Sequence, residues 1–135
     1  MIAAENGALP GGKVGGMGDV LRDVPRALAA AGHRVTVLTP SYGAFHERAT
    51  VRPRGELAVS FGDGVERVAL YGLPATGPRR RVRQFILDHA LFASCGRGRI
   101  YCDDPPSEPF SSDATKFALF SAAAVTGLAE GCFGE

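Results

Sequence analysis

One short glycine-rich segment carries the residue types that bind anions. Residues 11–18 read GGKVGGMG and lie between a short apolar run and a stretch with helical periodicity. Glycines allow backbone N–H groups to approach an anion closely, and the N-terminus of a helix adds partial positive charge. Lys13 adds a full charge within the same segment. The pattern predicts a phosphate-binding loop, and a diphosphate is its natural occupant.

Two widespread phosphate motifs do not fit this segment. The P-loop motif, G-x-x-x-x-G-K-[ST], matches as far as Lys13, but Val14 replaces the hydroxyl that would bind magnesium, and Pro10 removes a backbone donor. The dinucleotide fingerprint G-x-G-x-x-G fails because Leu21 occupies its third glycine position. A Rossmann-type enzyme that binds NAD or ATP in another way remains an alternative.

The overall composition argues against several function classes. The 135 residues are enough for one domain, and a net charge of +1 provides no field that would attract nucleic acid or a membrane surface. No segment approaches the roughly 20 apolar residues that span a bilayer. The basic run at residues 79–83 has no interleaved aromatic residues, which favours a solvated strand edge over a nucleic-acid patch.

The cysteines and histidines indicate no metal site. The cysteines are Cys95, Cys102 and Cys132. Their odd number and the absence of a C-x-x-C pair argue against a disulfide framework and against a thiolate zinc site, and favour reduced thiols in a cytosolic protein. The histidines are scattered, without metal-binding spacing, at His33, His46 and His89. We therefore expect no metal and no other cofactor.

The first forty residues predict a βαβ unit. Residues 1–4 resemble the end of a strand, residues 5–18 form a loop, and Asp19–Ala31 has helical periodicity with Pro25 inside, as a kink or as the start of the regular turns, and Gly32 placed to end the helix. The helical stripe consists of Val20, Val24, Ala27, Leu28 and Ala31. A β-branched strand follows at residues 34–40. This order of elements is typical of an open parallel sheet, so we expect an α/β fold.

The remaining residues add a hairpin and a second helix. Residues 56–61 and 65–71 are short strand-like runs joined by a Gly-Asp-Gly turn, and residues 81–87 are a further strand candidate. Residues 90–109 are irregular and polar. Residues 113–128 are helical, with Ser111 or Ser112 as the N-cap. The apolar stripe of this helix, which we expect to face the core, consists of Phe117, Phe120, Ala124 and Leu128.

Two blocks of the sequence resemble the amino-terminal part of the glycogen and starch synthases. The first block contains Glu5, residues 13–20 (KVGGMGDV), Pro25, Ala27-Leu28, Gly32-His33, Val35 and Pro40. The second contains Asp88-His89, Leu91-Phe92, Ile100-Tyr101, Asp103-Asp104, Asp113, Phe117, Phe120 and Ser121. The blocks occur in the family's order and cover nearly the whole chain. The chain departs from the family in lacking most of the first strand and in carrying Cys102 and Lys116 where many members have glycine and arginine.

The resemblance implies a fold and an activity. Residues 1–135 would form an incomplete acceptor-side domain of a two-domain GT-B glycosyltransferase of family 5, Rossmann-like with an inserted β-hairpin, and the carboxy-terminal donor domain would be missing. The parent enzyme would transfer glucose from ADP-glucose, or UDP-glucose in some relatives, to the non-reducing end of an α-1,4-glucan, with retention and without a metal. The fragment alone would be inactive. Its location would be cytoplasmic, or the plastid if the source is a plant.

The resemblance also assigns roles to single residues. Lys13 would contact the phosphate region of the donor nucleotide, and Gly15 and Gly16 would allow its close approach. Asp19 would lie near the donor sugar, with a helix N-cap as an equal alternative. The candidate glucan contacts are His89, Tyr101 and Asp104. For the histidine an ordering role in its own loop, and for the aspartate simple solvated charge, remain alternatives. No catalytic residue is expected here, and a non-catalytic module that binds glucan or nucleotide remains the rival interpretation.

Overall fold

Four strands form one open, mixed sheet. The strands are β1 (Val35–Pro40), β2 (Arg52–Phe61), β3 (Gly64–Gly72) and β4 (Val82–Asp88), in the spatial order β1–β4–β3–β2. This computed structural model describes residues 1–48 and 50–134. Strands β1 and β4 are parallel, whereas β4 and β2 each run antiparallel to β3. The expected α/β architecture, a partial Rossmann-like sheet with an inserted hairpin, is confirmed.

The two long helices pack on opposite faces of this sheet. The helices are α1 (Gly16–Ala30) and α2 (Ser111–Ala129), and short 3₁₀ turns span Phe45–Glu47, Pro78–Arg80 and Ala90–Ala93. Alternate residues of a strand point to opposite faces. On β1, Val35 and Val37 pack in a cluster with Leu21 of α1, whereas Leu38 packs in a larger cluster with Leu119 of α2. The larger cluster also covers the hairpin, through Leu57, Val59, Val68 and Leu70.

The predicted βαβ unit and the hairpin are both present. Residues 1–4 lie beside β1, where Ile2 and Leu38 form a parallel bridge and Leu38 N donates to Met1 O at 2.9 Å. The hairpin strands are longer than predicted, because β2 and β3 remain paired from the turn out to Arg52 and Gly72. The basic run at residues 79–83 is solvated at its start, as expected, but it leads into β4, a central strand and not an edge.

Helix α1 begins three residues earlier than predicted. Its N-cap is Gly15, and Asp19 lies inside the first turn, so the N-cap alternative for Asp19 is wrong. The early start has a physical cause in Glu5, whose carboxylate accepts the backbone N–H groups of Gly15 and Gly18. Without Glu5, the donor of Gly15 would be left open at the helix start, and that of Gly18 would have only a long bond of 3.3 Å to Gly15 O. A carboxylate outside the helix therefore accepts the backbone N–H groups that the side chain of an N-cap residue usually accepts.

The rest of α1 agrees only partly with the prediction. The helix continues through Pro25 on both sides, so this proline does not mark its first regular turn. Gly32, with a φ of 102°, follows the helix end as predicted. The buried face carries Leu21, Pro25 and Ala29. The stripe that indicated the helix is mostly exposed, with 49% of Val20, 38% of Val24 and 38% of Leu28 accessible.

The start of α2 is stabilised from a distance as well. The residue before the helix is Phe110, in the left-handed region with a φ of 65°, and neither Ser111 nor Ser112 caps the helix as predicted. Instead, Asp104 accepts hydrogen bonds from Ser112 N at 3.0 Å and Ser112 Oγ at 2.6 Å. This carboxylate supplies the acceptor that the exposed donors of a helix start need.

The predicted apolar stripe of α2 is correct except at its end. Phe120 and Ala124 are buried and Phe117 is half-buried, but Leu128 is 64% exposed. The core position at this end is taken by Phe133, which packs so closely on Gly127 that a Cβ there would stand 2.4 Å from its ring.

Cys95 and Cys102 form a disulfide bond, with Cα atoms 5.4 Å apart. The expectation of three reduced thiols is therefore wrong, and only Cys132 is free. An odd number of cysteines excludes complete pairing but does not exclude one bridge. No helix of residues 1–48 and 50–134 is long and apolar enough to cross a membrane.

Candidate functional site

Three loops meet at the edge of the sheet where the parallel strands have their carboxyl ends. They follow residues 1–4, β1 and β4, and comprise residues 5–15, 41–48 and 89–104. An apolar cluster joins them, and its buried members are Leu9, Tyr42, Phe45, Val51, Ile86 and Ile100. Tyr42 Oη also donates to Ala4 O at 2.6 Å. In open α/β sheets, ligands bind at this edge.

A buried carboxylate organises the glycine-rich loop. Glu5 Oε2 accepts hydrogen bonds from the backbone N of Val14 (2.9 Å), Gly15 (2.7 Å) and Gly18 (3.2 Å). Glu5 Oε1 accepts from Tyr101 Oη at 2.9 Å. Burial opposes ionisation of this group, but the hydrogen bonds outweigh burial and hold the pKa of Glu5 below its usual range. The protein's own anion thus occupies part of the predicted anion-binding loop.

Asn6 fixes the same loop to the sheet. Its Nδ2 donates to Thr39 Oγ1 of β1 at 3.0 Å and to Gln84 Oε1 of β4 at 2.9 Å, and its Oδ1 accepts from Ala8 N at 3.1 Å. The loop also passes so close to itself that a Cβ on Gly12 would stand 2.3 Å from Asn6 O. The path of the loop is therefore set by β1, β4 and its own backbone.

Lys13 and Asp19 form an ion pair at the loop surface. Lys13 Nζ lies 2.9 Å from Asp19 Oδ1 and 2.7 Å from Oδ2. Arg22 Nη1 lies 2.9 Å from the same Oδ1. The hydrogen bond from Lys13 holds the pKa of Asp19 below its usual range. The side chains of Lys13 and Asp19 are 49% and 38% exposed, so both remain accessible to a ligand from solvent.

The glycines of the loop differ in what their surroundings require. A Cβ on Gly18 would stand 2.8 Å from Lys13 Cγ, and one on Gly7 would stand 2.3 Å from Gly18 O. In contrast, a Cβ on Gly15 would meet only Glu5, at 3.7 Å, and one on Gly16 would meet nothing within 4 Å. Neither Gly15 nor Gly16 has the positive φ that favours glycine. The chain's own packing therefore does not explain glycine at these two positions.

Tyr101 is the one candidate glucan contact that reaches the loop, through its hydrogen bond to Glu5. Its ring packs edge-on against Phe117, with centroids 6.2 Å apart. Burial and the hydrogen bond to Glu5 raise the pKa of Tyr101 to about 12, so the hydroxyl keeps its proton and remains a donor at neutral pH.

A buried ion pair supports the segment that carries this tyrosine. The Lys116 side chain is 0% exposed, and its Nζ lies 2.7 Å from Asp113 Oδ1 and donates to Ile100 O at 2.6 Å. Asp113 accepts from Cys102 N at 3.2 Å and 3.3 Å through its two carboxylate oxygens. Both neighbours of Tyr101 in the chain are thus held by one turn of α2.

The other two candidate glucan contacts, His89 and Asp104, form hydrogen bonds within the chain. His89 Nδ1 accepts from Leu91 N at 3.1 Å, and His89 Nε2 lies 2.9 Å from Glu66 Oε2. Asp104 binds the start of α2 through Ser112. These contacts agree with an ordering role for His89, and Asp104 is not simple solvated charge. Their roles toward a glucan stay predictions.

One group of metal-ligating atoms occurs in the described part of the chain, and it does not fit a cation. It consists of the sulfurs of Cys95 and Cys102 and a carboxylate oxygen of Asp113, all within 4.8 Å of one another. The two sulfurs are bonded to each other. Lys116 Nζ also lies 3.5 Å and 3.7 Å from them, where its charge would repel a metal ion.

Sequence reasoning missed the organising residues of this site. Glu5 belongs to the family pattern, but its partners lie from 9 to 96 residues away, so no local spacing reveals its role. The signal that could have found it is a charged residue and an amide, Glu5-Asn6, directly after a strand at the ligand-binding edge.

Known proteins resemble this chain along nearly its whole length. A protein-family model described as "Starch synthase catalytic domain" matches residues 1–134. The glycogen synthase of Streptococcus sanguinis (strain SK36) is 32% identical over 134 residues, which cover 93% of this chain and 24% of that protein. The glycogen synthase of Paramagnetospirillum magneticum (strain ATCC 700264 / AMB-1) is 35% identical over 124 residues, 90% of this chain and 24% of that protein.

A plant relative matches a shorter stretch. The chloroplastic/amyloplastic granule-bound starch synthase 1 of Zea mays is 37% identical over 83 residues, which cover 62% of this chain and 13% of that protein. The chain thus spans about a quarter or less of the length of these relatives.

Proposed function

Because the chain belongs to the starch synthase catalytic-domain family, we propose that it forms the part of a glucosyltransferase that holds the diphosphate of a nucleotide-sugar donor. The proposed donor is ADP-glucose, with UDP-glucose as the second candidate. The proposed acceptor is the non-reducing end of an α-1,4-glucan, and the proposed outcome is retention of the anomeric configuration. The other catalytic groups would come from a donor domain outside these residues, in a two-domain GT-B enzyme.

The observation that carries this proposal is the open space over Gly16 at the N-terminus of α1, in the loop that also carries Lys13. A Cβ at this position would meet no atom within 4 Å, so the backbone there is open to an external group. The start of a 15-residue helix supplies partial positive charge, which Glu5 offsets in part because it accepts three amides there, and Lys13 supplies a full charge. A diphosphate fits this chemistry better than a neutral sugar does.

Asp19 is paired with two basic side chains at the loop. It forms ion pairs with Lys13 and with Arg22. A diphosphate would compete with Asp19 for the lysine, and Arg22 would continue to neutralise the carboxylate. Because the pair is exposed and solvent screens it, its separation costs little. Asp19 would then be free to meet the donor sugar, the role that the family resemblance implies.

The chemical role follows from where charge develops. Cleavage of a nucleotide-sugar leaves negative charge on the departing diphosphate, and a cation fixed at that point stabilises the transition state more than the ground state. Glu5, Asn6 and Tyr101 touch the loop and not the diphosphate, so they are positioning residues.

We propose that no metal takes part, a prediction that retained activity in a chelator would support. A cytoplasmic or plastid location also stays a prediction.

Two measurements on the protein at its natural length test the proposal: calorimetric titration with ADP-glucose, which measures binding, and an assay of glucose transfer. We expect ADP-glucose to bind, Lys13→Ala to weaken binding and transfer by about 100-fold or more, and Lys13→Arg to restore part of both. Arg67→Ala is the matched control, since Arg67 is 74% exposed and pairs only with Glu56 on the hairpin among the described residues.

Three results would contradict the proposal. They are near wild-type glucose transfer by Lys13→Ala, tighter binding of NAD or ATP than of either nucleotide-sugar, and retention on amylose without any nucleotide binding. The last two would favour, respectively, another Rossmann-type enzyme and a non-catalytic glucan-binding module.

A further inference from the structure

The only disulfide of the described residues lies directly beside the candidate site. The bond joins Cys95 to Cys102, with a sequence separation of 7, and so closes the segment 95–102 that follows the 3₁₀ turn after β4. Tyr101 is the last residue inside this closed segment, next to Cys102. The bond therefore restricts the backbone conformations that are open to the tyrosine.

A buried cation sits against both sulfurs. Lys116 Nζ lies 3.5 Å from Cys95 Sγ and 3.7 Å from Cys102 Sγ. When the pair is reduced, a cation at this distance stabilises the thiolate, the form that attacks disulfides. Asp113 is the opposing charge, 2.7 Å from Nζ, and one of its carboxylate oxygens lies within 4.8 Å of both sulfurs, so it offsets part of this effect.

The bond is within reach of a small reagent. Both cysteines are half-buried, and Ser94 Oγ, which is exposed, lies 4.0 Å from Cys95 Sγ. A surface cleft of about 330 Å³ opens here, lined by Leu91, Ser94, Ser111, Ser112, Thr115 and Lys116. Neither cysteine lines the cleft itself, but two of its lining residues, Ser94 and Lys116, contact Cys95 Sγ, so the cleft brings a small reagent to the neighbours of this sulfur.

A continuous set of contacts connects the bond to the glycine-rich loop. Cys102 is bonded to Tyr101 along the chain, Tyr101 Oη donates to Glu5, and Glu5 accepts the amides of Val14, Gly15 and Gly18. Closing the segment 95–102 removes conformations in which the tyrosine points elsewhere. The hydrogen bond to Glu5 is thereby made more persistent in the oxidised protein.

We propose that Cys95 and Cys102 form a reversible thiol–disulfide site that exchanges with small disulfides of the glutathione type and sets how firmly Tyr101 holds the glycine-rich loop. In oxidation, the Cys95 thiolate attacks one sulfur of the reagent and releases a small thiolate. The Cys102 thiolate then attacks Cys95 Sγ of the mixed disulfide and releases the second. The protein loses two protons and two electrons, and the reagent becomes two thiols. Reduction is the reverse.

Peptide-level mass spectrometry in glutathione buffers tests the first half of the proposal. Trypsin cuts after Arg97 and Arg99, so an oxidised pair is recovered as two linked peptides and a reduced pair as two separate ones. We expect the linked form to rise and fall reversibly with the ratio of oxidised to reduced glutathione. Cys132 is the control thiol in the same molecule, since burial and Glu130 raise its pKa, and it should gain at most a glutathione adduct.

Alkylation rates test the role of the cation. In the reduced protein at neutral pH, we expect Cys95 to react about tenfold or more faster than Cys132. Lys116→Gln should remove this advantage, and Lys116→Arg should keep it, which separates the charge from the packing of the side chain. Hydrogen exchange of the amides of residues 14–18 should quicken about tenfold on reduction, and in Tyr101→Phe it should no longer depend on redox state.

Each of four results would overturn the proposal: a pair that stays reduced in excess oxidised glutathione, lasting glutathione adducts on both cysteines, loop exchange that is identical in the two states, or stoichiometric zinc binding by the reduced pair. The inference goes beyond the proposed function and rests on it only for the identity of the loop's ligand. None of these measurements uses a nucleotide, so their failure and the failure of donor binding are distinguishable.

Discussion

Tyr101 and Glu5 lie 96 residues apart in the sequence and are joined by a hydrogen bond of 2.9 Å. The tyrosine comes from the loop after β4, and the glutamate from the loop before α1. Glu5 also accepts hydrogen bonds from three backbone amides of the glycine-rich loop. The two loops, which follow different strands, are therefore joined into one structural unit. The geometry of the glycine-rich loop is therefore not encoded within the loop alone.

Replacing Glu5 by glutamine tests how much this carboxylate stabilises the protein. Glutamine keeps the size but loses the charge, and its amide nitrogen cannot accept the hydrogen bonds that one carboxylate oxygen accepts. We expect the free energy of unfolding to fall by about 1.5–3 kcal/mol, measured by urea denaturation. Glu56→Gln, an exposed change on the hairpin, should stay within about 0.5 kcal/mol. Equal effects of the two changes would contradict the organising role of Glu5.

The lowered pKa of Glu5 also predicts an acid dependence of stability. The pKa is lower in the folded chain than its ordinary value of 4.5 in the unfolded chain. The stabilisation is therefore complete well above pH 4.5 and is lost as the pH falls through the lowered folded value. Thermal unfolding at high salt, which screens the exposed Asp19 pair, should show this loss in the wild type and a shallower one in Glu5→Gln. Parallel curves would contradict the prediction.

Lys116 provides a test of the support beneath Tyr101. In Lys116→Met the carboxylate of Asp113 remains in place without its buried cation, and Ile100 O loses its donor. We expect the free energy of unfolding to fall by about 3–5 kcal/mol. Lys116→Arg should lose less, because the charge remains, and Arg67→Met should stay near wild type. A loss below about 1 kcal/mol for Lys116→Met would show that the ion pair does not support this segment.

The fold could be predicted from the sequence where the signal is local. The β-branched strand β1, the Gly-Asp-Gly hairpin and Gly32 after α1 follow from patterns that span a few residues, and all three are present. The predicted helix starts are wrong because backbone donors at the observed starts bind carboxylates outside the helices. Glu5 accepts them for α1 and Asp104 for α2. Helix propensity and local capping patterns do not include an acceptor that the tertiary structure brings to the helix start.

The site, like the fold, was predictable where its residues are close together in the sequence. The loop of Lys13, Gly15, Gly16 and Asp19 is contiguous in sequence, so its members were certain to lie near one another. The disulfide was missed because the count and spacing of cysteines say nothing about two chain segments that a buried lysine and α2 bring together. The exposed stripe of α1 shows a further limit, because helical periodicity does not tell which face another element covers.

The affinity of Gly16→Ala for ADP-glucose, measured together with its thermal stability, tests the proposed diphosphate site at the start of α1. The new Cβ has no neighbour within 4 Å and replaces a glycine at the start of a helix, so stability should be unchanged or rise by about 0.5–1 kcal/mol. The same Cβ enters the space proposed for the diphosphate, and affinity should fall about tenfold or more. Unchanged affinity in a stable variant would contradict the central claim that the donor approaches the backbone at this position.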